Sequence, residues 1–339
     1  MNPDETGRLQ AYLTQAIPGF HGPLQVERFA GGQSNPTYKL VTPGTNYVLR
    51  TKPGPAAGLL SSAHAIDREY RIAKALADTD IPVARMLALS EDESVMGRAF
   101  YAMSHVDGRI FWDLGLAGMA PAERRAIYLE MNRVMARLHQ VDHRAIGLET
   151  FGRPENYMER QLRRWIRQYR DSQTEQIASM EALIGWLPEH MPGGDAATGI
   201  VHGDYRLDNV VFHPTEPRIV AVLDWELSTI GNPLADFANH LMIWHITPDI
   251  SRGIAGLDLR ALGIPDKDEY VRLYAAAMGR GAVPDLSYYL VFSMFRLACI
   301  VQGIVKRAAD GTATRPDAAQ KRAQPLADLA WSFARRAFA

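Results

Sequence analysis

The segment 200–236 carries polar residues whose types and spacing suit phosphoryl transfer. His202, Asp204 and Asn209 lie in a polar loop between two short apolar runs, and Asp224 ends the next apolar run. Apolar runs of this length, bounded by polar residues, predict short buried strands. Phosphoryl transfer needs a carboxylate to accept a proton from the attacking hydroxyl, and oxygen ligands for Mg²⁺. Asp204 is therefore the predicted base, and Asn209 and Asp224 are the predicted metal ligands.

Three motifs follow one another in this segment: His202-Gly-Asp-x-x-x-x-Asn209, Leu223-Asp-Trp-Glu226 and Gly231-x-Pro-x-x-Asp236. In this order and with this spacing, they closely resemble the aminoglycoside phosphotransferase and choline kinase-like family. The resemblance covers nearly the whole chain. Within the family it is closest to the phosphotransferase-like regions found fused to some acyl-CoA dehydrogenases.

The resemblance implies an α+β, two-lobed protein kinase-like fold. A small N-terminal lobe, residues 1–107, would carry an antiparallel sheet and one main helix and bind the nucleotide. A larger, mainly helical lobe, residues 108–339, would hold the catalytic and acceptor sites. The implied cofactors are ATP and Mg²⁺, and the implied partner is a small molecule whose hydroxyl group accepts the phosphate.

Other residues of the polar loop have expected supporting roles. Arg206 is expected to contact the acceptor or to balance the charge of Asp204, and His202 to support the loop. Asp208 is expected to be a structural hydrogen-bond acceptor or to be exposed. Asp236, early in a helix, is expected to tie the loop to that helix through capping bonds.

The stretch after Asp224 favours a small-molecule acceptor. Only a handful of residues separate it from Gly231, which leaves no room for a regulatory activation loop. Glu226, within this stretch, is predicted to contact the acceptor.

The N-terminal part offers a nucleotide site. Two predicted strands, 24–29 and 37–41, flank a small polar turn whose glycines let the backbone approach phosphates. The residues predicted to bind the nucleotide there are Gly32, Gln33, Ser34 and Asn35. A plain β-hairpin turn is the alternative interpretation of this segment.

The predicted strand 46–52 carries two cations, Arg50 and Lys52, on one face, because strand side chains alternate. Its similarity to the kinase motif Val-Ala-Ile-Lys places Arg50 at the position of the phosphate-binding lysine, with Lys52 as the alternative. Glu69, on a predicted helix over 61–77, is expected to pair with Arg50 as the corresponding glutamate does in kinases. Asp67 competes for that role.

The segment from Met103 to Gly108 resembles the hinge of the family. The backbone groups from Ser104 to Val106 are therefore expected to hydrogen-bond the adenine. This expectation concerns the main chain, so it does not depend on the side chains present.

A basic helix is the main clue to the acceptor. Over residues 155–169, one helical face is apolar and another carries the arginines Arg160, Arg163, Arg164 and Arg167. The ordinary interpretation is an amphipathic helix with a solvated basic face. The functional interpretation is that this face lines the acceptor site. Arginines would repel a cationic aminoglycoside but would suit a phosphate- or carboxylate-bearing molecule, such as a hydroxyacyl-CoA.

Composition limits the function classes. The 339 residues include 37 Lys and Arg against 38 Asp and Glu, a net charge of −1, so no general affinity for nucleic acid or anionic membranes is expected. The single cysteine, Cys299, excludes an internal disulfide. An acidic N-terminus without an apolar segment predicts no signal peptide. The apolar run Tyr288–Val301, interrupted by Arg296, is predicted to be too short to span a bilayer. A cytoplasmic protein is expected.

Two other functions remain open on sequence grounds. The first is a nucleotide-binding module without catalysis. The arginine at position 50 is the only feature of the sequence that favours it. The second is a metal-dependent phosphohydrolase, suggested by His202 near Asp204. That function needs further histidine and carboxylate ligands, which the sequence does not show at matching spacing.

Overall fold

The structure, a computed structural model, describes residues 1–29, 35–53, 66–193, 197–312 and 322–338. The chain divides into two compact units. Unit 1 comprises Met1–Ile110, Arg144–Phe151 and Asn209–Ser228, and unit 2 comprises Phe111–His143, Gly152–Asp208 and Thr229–Ala339. The chain therefore passes from unit 2 to unit 1 inside the polar loop, between Asp208 and Asn209.

The strands and helices occupy the following segments. The strands are β1 (Gln25–Arg28), β2 (Thr37–Val41), β3 (Tyr47–Thr51), β4 (Met86–Ser90), β5 (Phe100–Ser104), β6 (Gly199–Val201), β7 (Val210–Phe212), β8 (Ile219–Val222) and β9 (Thr229–Gly231). The helices are α1 (Pro3–Ala16), α2 (Ile66–Leu76), α3 (Glu93–Met96), α4 (Pro121–Gln140), α5 (Tyr157–Ser172), α6 (Ala178–Glu189), α7 (Pro233–Leu241), α8 (Leu259–Leu262), α9 (Lys267–Ala277), α10 (Ser287–Ala309) and α11 (Gln324–Ala337).

Unit 1 is built on a five-stranded sheet of order β1–β2–β3–β5–β4, whose neighbouring strands are all antiparallel. On one face, Leu49 packs in a core with Leu9 and Leu13 of α1. On the other face, Tyr101 packs with Ile66 of α2. Successive side chains of a strand point to opposite faces, so Arg50, which follows Leu49, points to the face of the sheet that carries α2.

Helix starts follow from local capping chemistry. Helix α1 begins with a capping box, in which the Asn2 side chain accepts the N–H of Glu5 and the Glu5 side chain accepts the N–H of Asn2. Helix α7 begins with Pro233, and the side chain of Asn232 accepts the N–H of Leu234 at 2.9 Å. Proline suits the first helical position because its missing N–H would have no partner there.

Helix α10 lies in the core of unit 2, where it packs against α5, α7 and α11. It is long and apolar enough, by length and composition, to cross a membrane, so the expectation that this region is too short is wrong. However, 72% of its most apolar 18-residue window is buried inside the structure, as in the core helix of a globular fold. Cys299 is fully buried on this helix, as predicted.

The structure also contains elements that the sequence patterns do not predict. Helix α6 is apolar around much of its circumference and includes Pro188, so it lacks a clear amphipathic stripe. Strand β9 is only three residues long and pairs with β6 in unit 2. Helix α7 ends at Leu241, and the chain continues as one tighter 3₁₀ turn, Met242–Trp244.

Candidate active site

The β7–β8 hairpin of unit 1 brings the two predicted metal ligands together. Val210 pairs with Val222, and the N–H of Leu223 donates to the carbonyl of Asn209 at 2.8 Å. Asn209 and Asp224 therefore lie at the same end of the hairpin. Asp224 has a left-handed backbone with φ 63°, an uncommon conformation that often marks functional positions. An amide oxygen and a carboxylate are donors that suit Mg²⁺, so these residues fit the predicted metal role.

Arg50 faces three carboxylates within unit 1. Its guanidinium lies 2.9 Å from Glu69, 2.7 Å from Asp224 and 3.3 Å from Glu226. The Arg50 side chain is only 13% exposed. Burial by itself would lower the pKa of Arg50, but Glu69 and the other facing groups outweigh it and raise the pKa. Arg50, rather than Lys52, is therefore the cation of this cluster.

Glu69 makes the ion pair with Arg50 that the sequence predicts, and this prediction is confirmed. Glu69 is 2% exposed. It accepts hydrogen bonds from the side-chain amide of Asn35 at 2.7 Å and from the hydroxyl of Tyr101 at 3.1 Å. Burial raises the pKa of Glu69 more than Arg50 lowers it. The carboxylate therefore depends on its partners to remain ionised.

Asn35 supports the buried Glu69. The sequence assigns Asn35 to the nucleotide phosphates, and in the structure its side-chain amide donates to the Glu69 carboxylate at 2.7 Å. A buried carboxylate needs hydrogen-bond donors, and Asn35 supplies one of them. The nucleotide contact of Asn35 stays a prediction. The other predicted phosphate-loop residues, Gly32, Gln33 and Ser34, lie outside the described residues.

Glu226 lies beside Arg50 in unit 1. The sequence assigns it to the acceptor, together with the arginines of α5. Its carboxylate lies 3.3 Å from Arg50, so Glu226 shares the charge of Arg50 with Asp224. The acceptor contact of Glu226 stays a prediction.

The predicted adenine contacts fall at the end of β5. The N–H of Ser104 donates to the carbonyl of Arg85 at 2.9 Å, and its hydroxyl accepts the N–H of Arg85 at 2.9 Å. The N–H of Ser104 is therefore committed to the sheet edge. Val106, two positions past the end of β5, has no such commitment in the described part of the chain and keeps its predicted role.

Asp236 anchors the polar loop in unit 2. Its buried carboxylate accepts the N–H groups of His202 at 2.7 Å and Gly203 at 2.9 Å, and the ring of His139 lies 3.2 Å away. Burial would raise the pKa of Asp236, but the bond from His139 and the other partners outweigh burial and lower it. The expected tie between loop and helix is present. It runs through loop N–H groups, while the cap of α7 is Asn232.

Asp204, the predicted base, is the first member of a row of linked ion pairs. Arg206 lies 3.2 Å from Asp204 and 3.3 Å from Asp208, and Arg252 lies 2.7 Å from Asp208. The Asp204 side chain is 29% exposed, so the carboxylate is accessible. Asp208 is buried between two arginines, which excludes the exposed alternative. The ring of His202 accepts the N–H of Asp204 at 3.2 Å, in agreement with a supporting role.

The four arginines of α5 do not share one environment. Arg163 is 72% exposed and pairs with Glu159 at 2.5 Å, one turn away. Arg167 is also exposed. These two side chains form the solvated face that the ordinary interpretation predicts.

Arg164 is also exposed, but it lies near a second guanidinium, that of Arg296. Burial lowers the pKa of Arg164, and the charge of Arg296 lowers it further. The guanidinium carbons of Arg164 and Arg296 lie 5.6 Å and 5.2 Å from the centroid of the Trp165 ring. Arg296 donates to the carbonyl of Gly203 at 2.7 Å and to the amide oxygen of Asn239 at 3.1 Å. Among the described residues, neither guanidinium has a carboxylate within ion-pair distance.

The half-buried Tyr157 is influenced by the charges of three arginines. Burial and then Asp236 raise the pKa of Tyr157 to about 12, while Arg296, Arg160 and Arg164 oppose the shift. Arg160 also donates a hydrogen bond to the carbonyl of Arg153. Three arginines of unit 2 thus oppose the raised pKa of Tyr157, and one of them, Arg296, is bonded to the polar loop.

Sequence reasoning missed Arg296 and Arg252 as site residues. In the sequence, Arg296 stands out only as a charge that interrupts an apolar run. An arginine inside a long apolar helix is itself a signal, because a guanidinium is rarely buried without hydrogen-bond partners. Arg252 lies in an irregular segment, and no pattern in the sequence connects it with Asp208.

Comparison with known protein families matches residues 25–274 to the phosphotransferase enzyme family. The match covers well over half of the chain and includes both the polar loop and the β7–β8 hairpin. The chain belongs to this family. The predicted family resemblance is therefore confirmed, and a phosphotransferase of the kinase type follows at that general level.

Curated relatives within the phosphotransferase family are larger proteins. Mouse acyl-CoA dehydrogenase family member 10 is 44% identical over 332 residues, which cover 96% of this chain and 31% of the relative. Acyl-CoA dehydrogenase family member 11 from Gallus gallus is 39% identical over 343 residues, which cover 98% of this chain and 44% of the relative. The chain spans less than half the length of these relatives.

Solved structures confirm the predicted α+β, kinase-like fold. A crystal structure from Ralstonia eutropha JMP134, provisionally described as an aminoglycoside phosphotransferase, has a TM-score of 0.89 and 57% identity, with 98% of both chains covered. A thermostable mutant of aminoglycoside phosphotransferase APH(4)-Ia, in a ternary complex with ADP and hygromycin B, has a TM-score of 0.60 and 16% identity, with 96% of this chain and 98% of that chain covered. At that identity the second likeness shows the fold alone.

A buried histidine next to the polar loop predicts a loss of stability in mild acid. Nδ1 of His240 lies 3.1 Å from the carbonyl of Tyr205, and Nε2 lies 2.8 Å from the hydroxyl of Tyr270. Nδ1–H donates to the carbonyl and Nε2 accepts from the hydroxyl, so the neutral ring satisfies both contacts. Burial lowers the pKa of His240 to about 4.

We expect the free energy of unfolding to decrease as the pH falls from about 6.5, the ordinary histidine pKa, towards the folded value. The unfolded chain takes up the proton first, so acid favours unfolding. Between pH 7 and pH 5 the loss from His240 should be about 2 kcal/mol. Urea unfolding of wild type and His240→Gln at both pH values measures it, with exposed His21→Gln as the control. An identical pH dependence in wild type and His240→Gln would contradict the assignment.

Proposed function

We propose that this protein transfers the γ-phosphate of ATP to a hydroxyl group of a small anionic molecule, with Mg²⁺ as cofactor. The observation that carries the proposal is the ordered set of Asp204, Asn209 and Asp224, in which the last two lie together on one hairpin and the first is accessible. Membership of the phosphotransferase enzyme family supports the reaction class. Solved relatives that hold ADP, AMP-PNP or GDP support the use of a nucleotide.

Each residue has a defined part in the proposed reaction. Asp204 accepts the proton of the acceptor hydroxyl and orients its oxygen. Asn209 and Asp224 provide oxygen ligands for Mg²⁺, which offsets the negative charge of the phosphates. Arg50 supplies the cation for the nucleotide phosphates. Because Arg50 also pairs with Asp224, nucleotide binding requires Arg50 to exchange that carboxylate for phosphate oxygens, while Glu69 keeps the guanidinium in position.

Two arginines of unit 2, the unit that also contains Asp204, support an anionic acceptor. Arg164 and Arg296 present guanidiniums without carboxylate partners in the described part of the chain, and Arg296 is bonded to the polar loop at Gly203. Guanidinium groups bind phosphates and carboxylates through paired N–H donors. A hydroxyacyl-CoA carries both a hydroxyl and phosphate groups. The names of the curated relatives, acyl-CoA dehydrogenase family members, agree with a thioester of this class.

A matched pair of arginine variants tests the anionic acceptor. Arg164→Gln should raise the KM for the anionic acceptor by about 10-fold with little change in kcat, because it removes a charged contact made equally in the ground and transition states. Arg163→Gln, which removes an exposed arginine from the same helix, should leave both constants unchanged. Steady-state kinetics with one phosphorylated acceptor measures the effect. Equal KM values for the two variants would exclude the assignment of Arg164 to the acceptor.

The proposed reaction itself is tested with purified protein, Mg²⁺ and either ATP or GTP. The acceptor panel contains hydroxyacyl-CoAs, free hydroxy acids and aminoglycosides, and the measurements are ADP or GDP release and phosphate in the product. We expect transfer to an anionic hydroxyl compound. Transfer to aminoglycosides alone would overturn the acceptor class. Nucleotide binding without transfer to any compound would instead favour a nucleotide-binding module without catalysis.

A further inference from the structure

Unit 2 contains a cavity that the proposed phosphoryl transfer does not use. Its volume is about 150 Å³. Much of its wall is apolar and is formed by Pro233, Leu234, Met278 and Val283. An apolar cavity of about this volume accepts a ligand the size of benzene, about six heavy atoms. The size therefore limits any occupant to a very small molecule.

The buried polar part of the wall has its hydrogen atoms already engaged. The hydroxyl of Tyr274 lies 2.7 Å from Nδ1 of His139, and Nε2 of His139 lies 3.2 Å from the Asp236 carboxylate. A carboxylate can only accept, so in the neutral ring Nε2 carries the proton and Nδ1 accepts the tyrosine O–H. Tyr274 and His139 therefore have no hydrogen left to donate. Neither side chain can therefore donate a hydrogen bond to the carboxylate of an occupant.

The cavity also has one cation without a carboxylate partner. Arg280 lines it and is exposed. No ion pair of Arg280 occurs within the residues that the structure describes. Tyr274 and Arg280 line the same cavity. Burial and Asp236 raise the pKa of Tyr274, and Arg280 opposes them. The cavity thus combines a charged rim with an apolar interior.

We propose that this cavity binds a short-chain monocarboxylate. The carboxylate lies on the guanidinium of Arg280, and the alkyl chain contacts Met278, Val283 and the proline of α7. Butyrate, with six heavy atoms, matches the volume. The occupant contacts Tyr274. Hydrogen bonds run from Tyr274 through His139 to the carboxylate of Asp236, which binds the polar loop. None of the residues that line this cavity is assigned above to the nucleotide or to the acceptor.

The test is an NMR titration of the whole protein with butyrate at constant ionic strength, with chloride replaced as butyrate is added. Wild type should bind with a dissociation constant on the order of 1 mM, which corresponds to about half of the largest binding energy per atom seen for very small ligands. Arg280→Gln should weaken binding at least about 10-fold, as expected for the loss of a charge-assisted contact. Arg272→Gln, which removes an exposed arginine of α9 that does not line the cavity, should bind as wild type does.

Two further comparisons separate this site from a general charge effect. Butyramide, a neutral analogue of the same size, should bind wild type at least about 10-fold more weakly than butyrate. Val283→Phe, which fills the cavity and keeps Arg280, should lose butyrate binding while retaining the melting temperature of wild type. Absence of binding at concentrations tenfold above the expected constant would overturn the proposal. Equal binding by wild type and Arg280→Gln, or unchanged binding by a folded Val283→Phe protein, would also overturn it.

Discussion

Replacement of Asp204 by asparagine should reduce kcat for phosphoryl transfer by about 10²- to 10⁴-fold, the range that a positioned general base contributes. Asparagine preserves the shape of the side chain and its ability to orient a hydroxyl, but its amide cannot accept the proton. The nucleotide contacts proposed for unit 1 do not involve Asp204. The dissociation constant for ATP should therefore change by less than about threefold, since binding and chemistry depend on different residues.

The measurement is single-turnover transfer from labelled ATP, with ATP affinity determined separately by fluorescence. Asp268→Asn is the matched control, because its side chain is 73% exposed and takes no part in the proposed chemistry or nucleotide binding. An Asp204→Asn protein with wild-type kcat would remove Asp204 from the reaction. A protein that loses ATP affinity and kcat together would show that Asp204 supports the fold or nucleotide site rather than the proton transfer.

The parts of the site that sequence predicts well are local along the chain. Asn209 and Asp224 meet because a short hairpin joins them, in which Val210 pairs with Val222. The loop before Asn209 is held in the same way, since Asp236 reaches the N–H groups of His202 and Gly203 within one compact segment. Motif spacing is sufficient for such arrangements.

The parts that sequence does not predict depend on packing between distant segments. Arg296 reaches the carbonyl of Gly203 from 93 positions away, and a backbone carbonyl carries no residue-specific signal. The position of Asn35 in a polar turn does not show that its amide donates to Glu69, 34 positions away. In the same way, no pattern in the sequence connects Glu226 with Arg50, 176 positions away.

The arginines of α5 show the same limit within one helix. Their spacing defines a basic face, but it does not state which edge of that face meets the rest of unit 2. Packing of α5 against α10 decides this, because it buries Trp165 beside Arg296 and brings Arg164 to the same ring. Arg163 remains in solvent. The sequence predicts that one face of α5 is positively charged. It does not predict which arginine of that face lies beside Trp165 and Arg296.

Removal of the Arg50 charge should have the second large effect, on stability as well as nucleotide binding. In Arg50→Met, Glu69 would remain 2% exposed and lose its only described ion-pair partner. Breaking a buried pair in this way costs about 3–5 kcal/mol of the free energy of unfolding, because an uncompensated charge is left behind. A buried carboxylate escapes this penalty by taking up a proton. The loss should therefore be smaller at pH 5 than at pH 8.

The double variant Arg50→Met/Glu69→Met separates the stability of the pair from its role in binding. Replacing both partners of a buried pair by apolar residues of similar volume is often neutral or stabilising, so most of the lost unfolding free energy should return. ATP affinity should stay low, because the cation for the phosphates is still missing. Urea unfolding at pH 5 and pH 8, together with ATP titration of each variant, measures both quantities. If the double variant recovered ATP affinity along with stability, Arg50 would act only as a structural partner of Glu69, and Lys52 would become the candidate phosphate ligand.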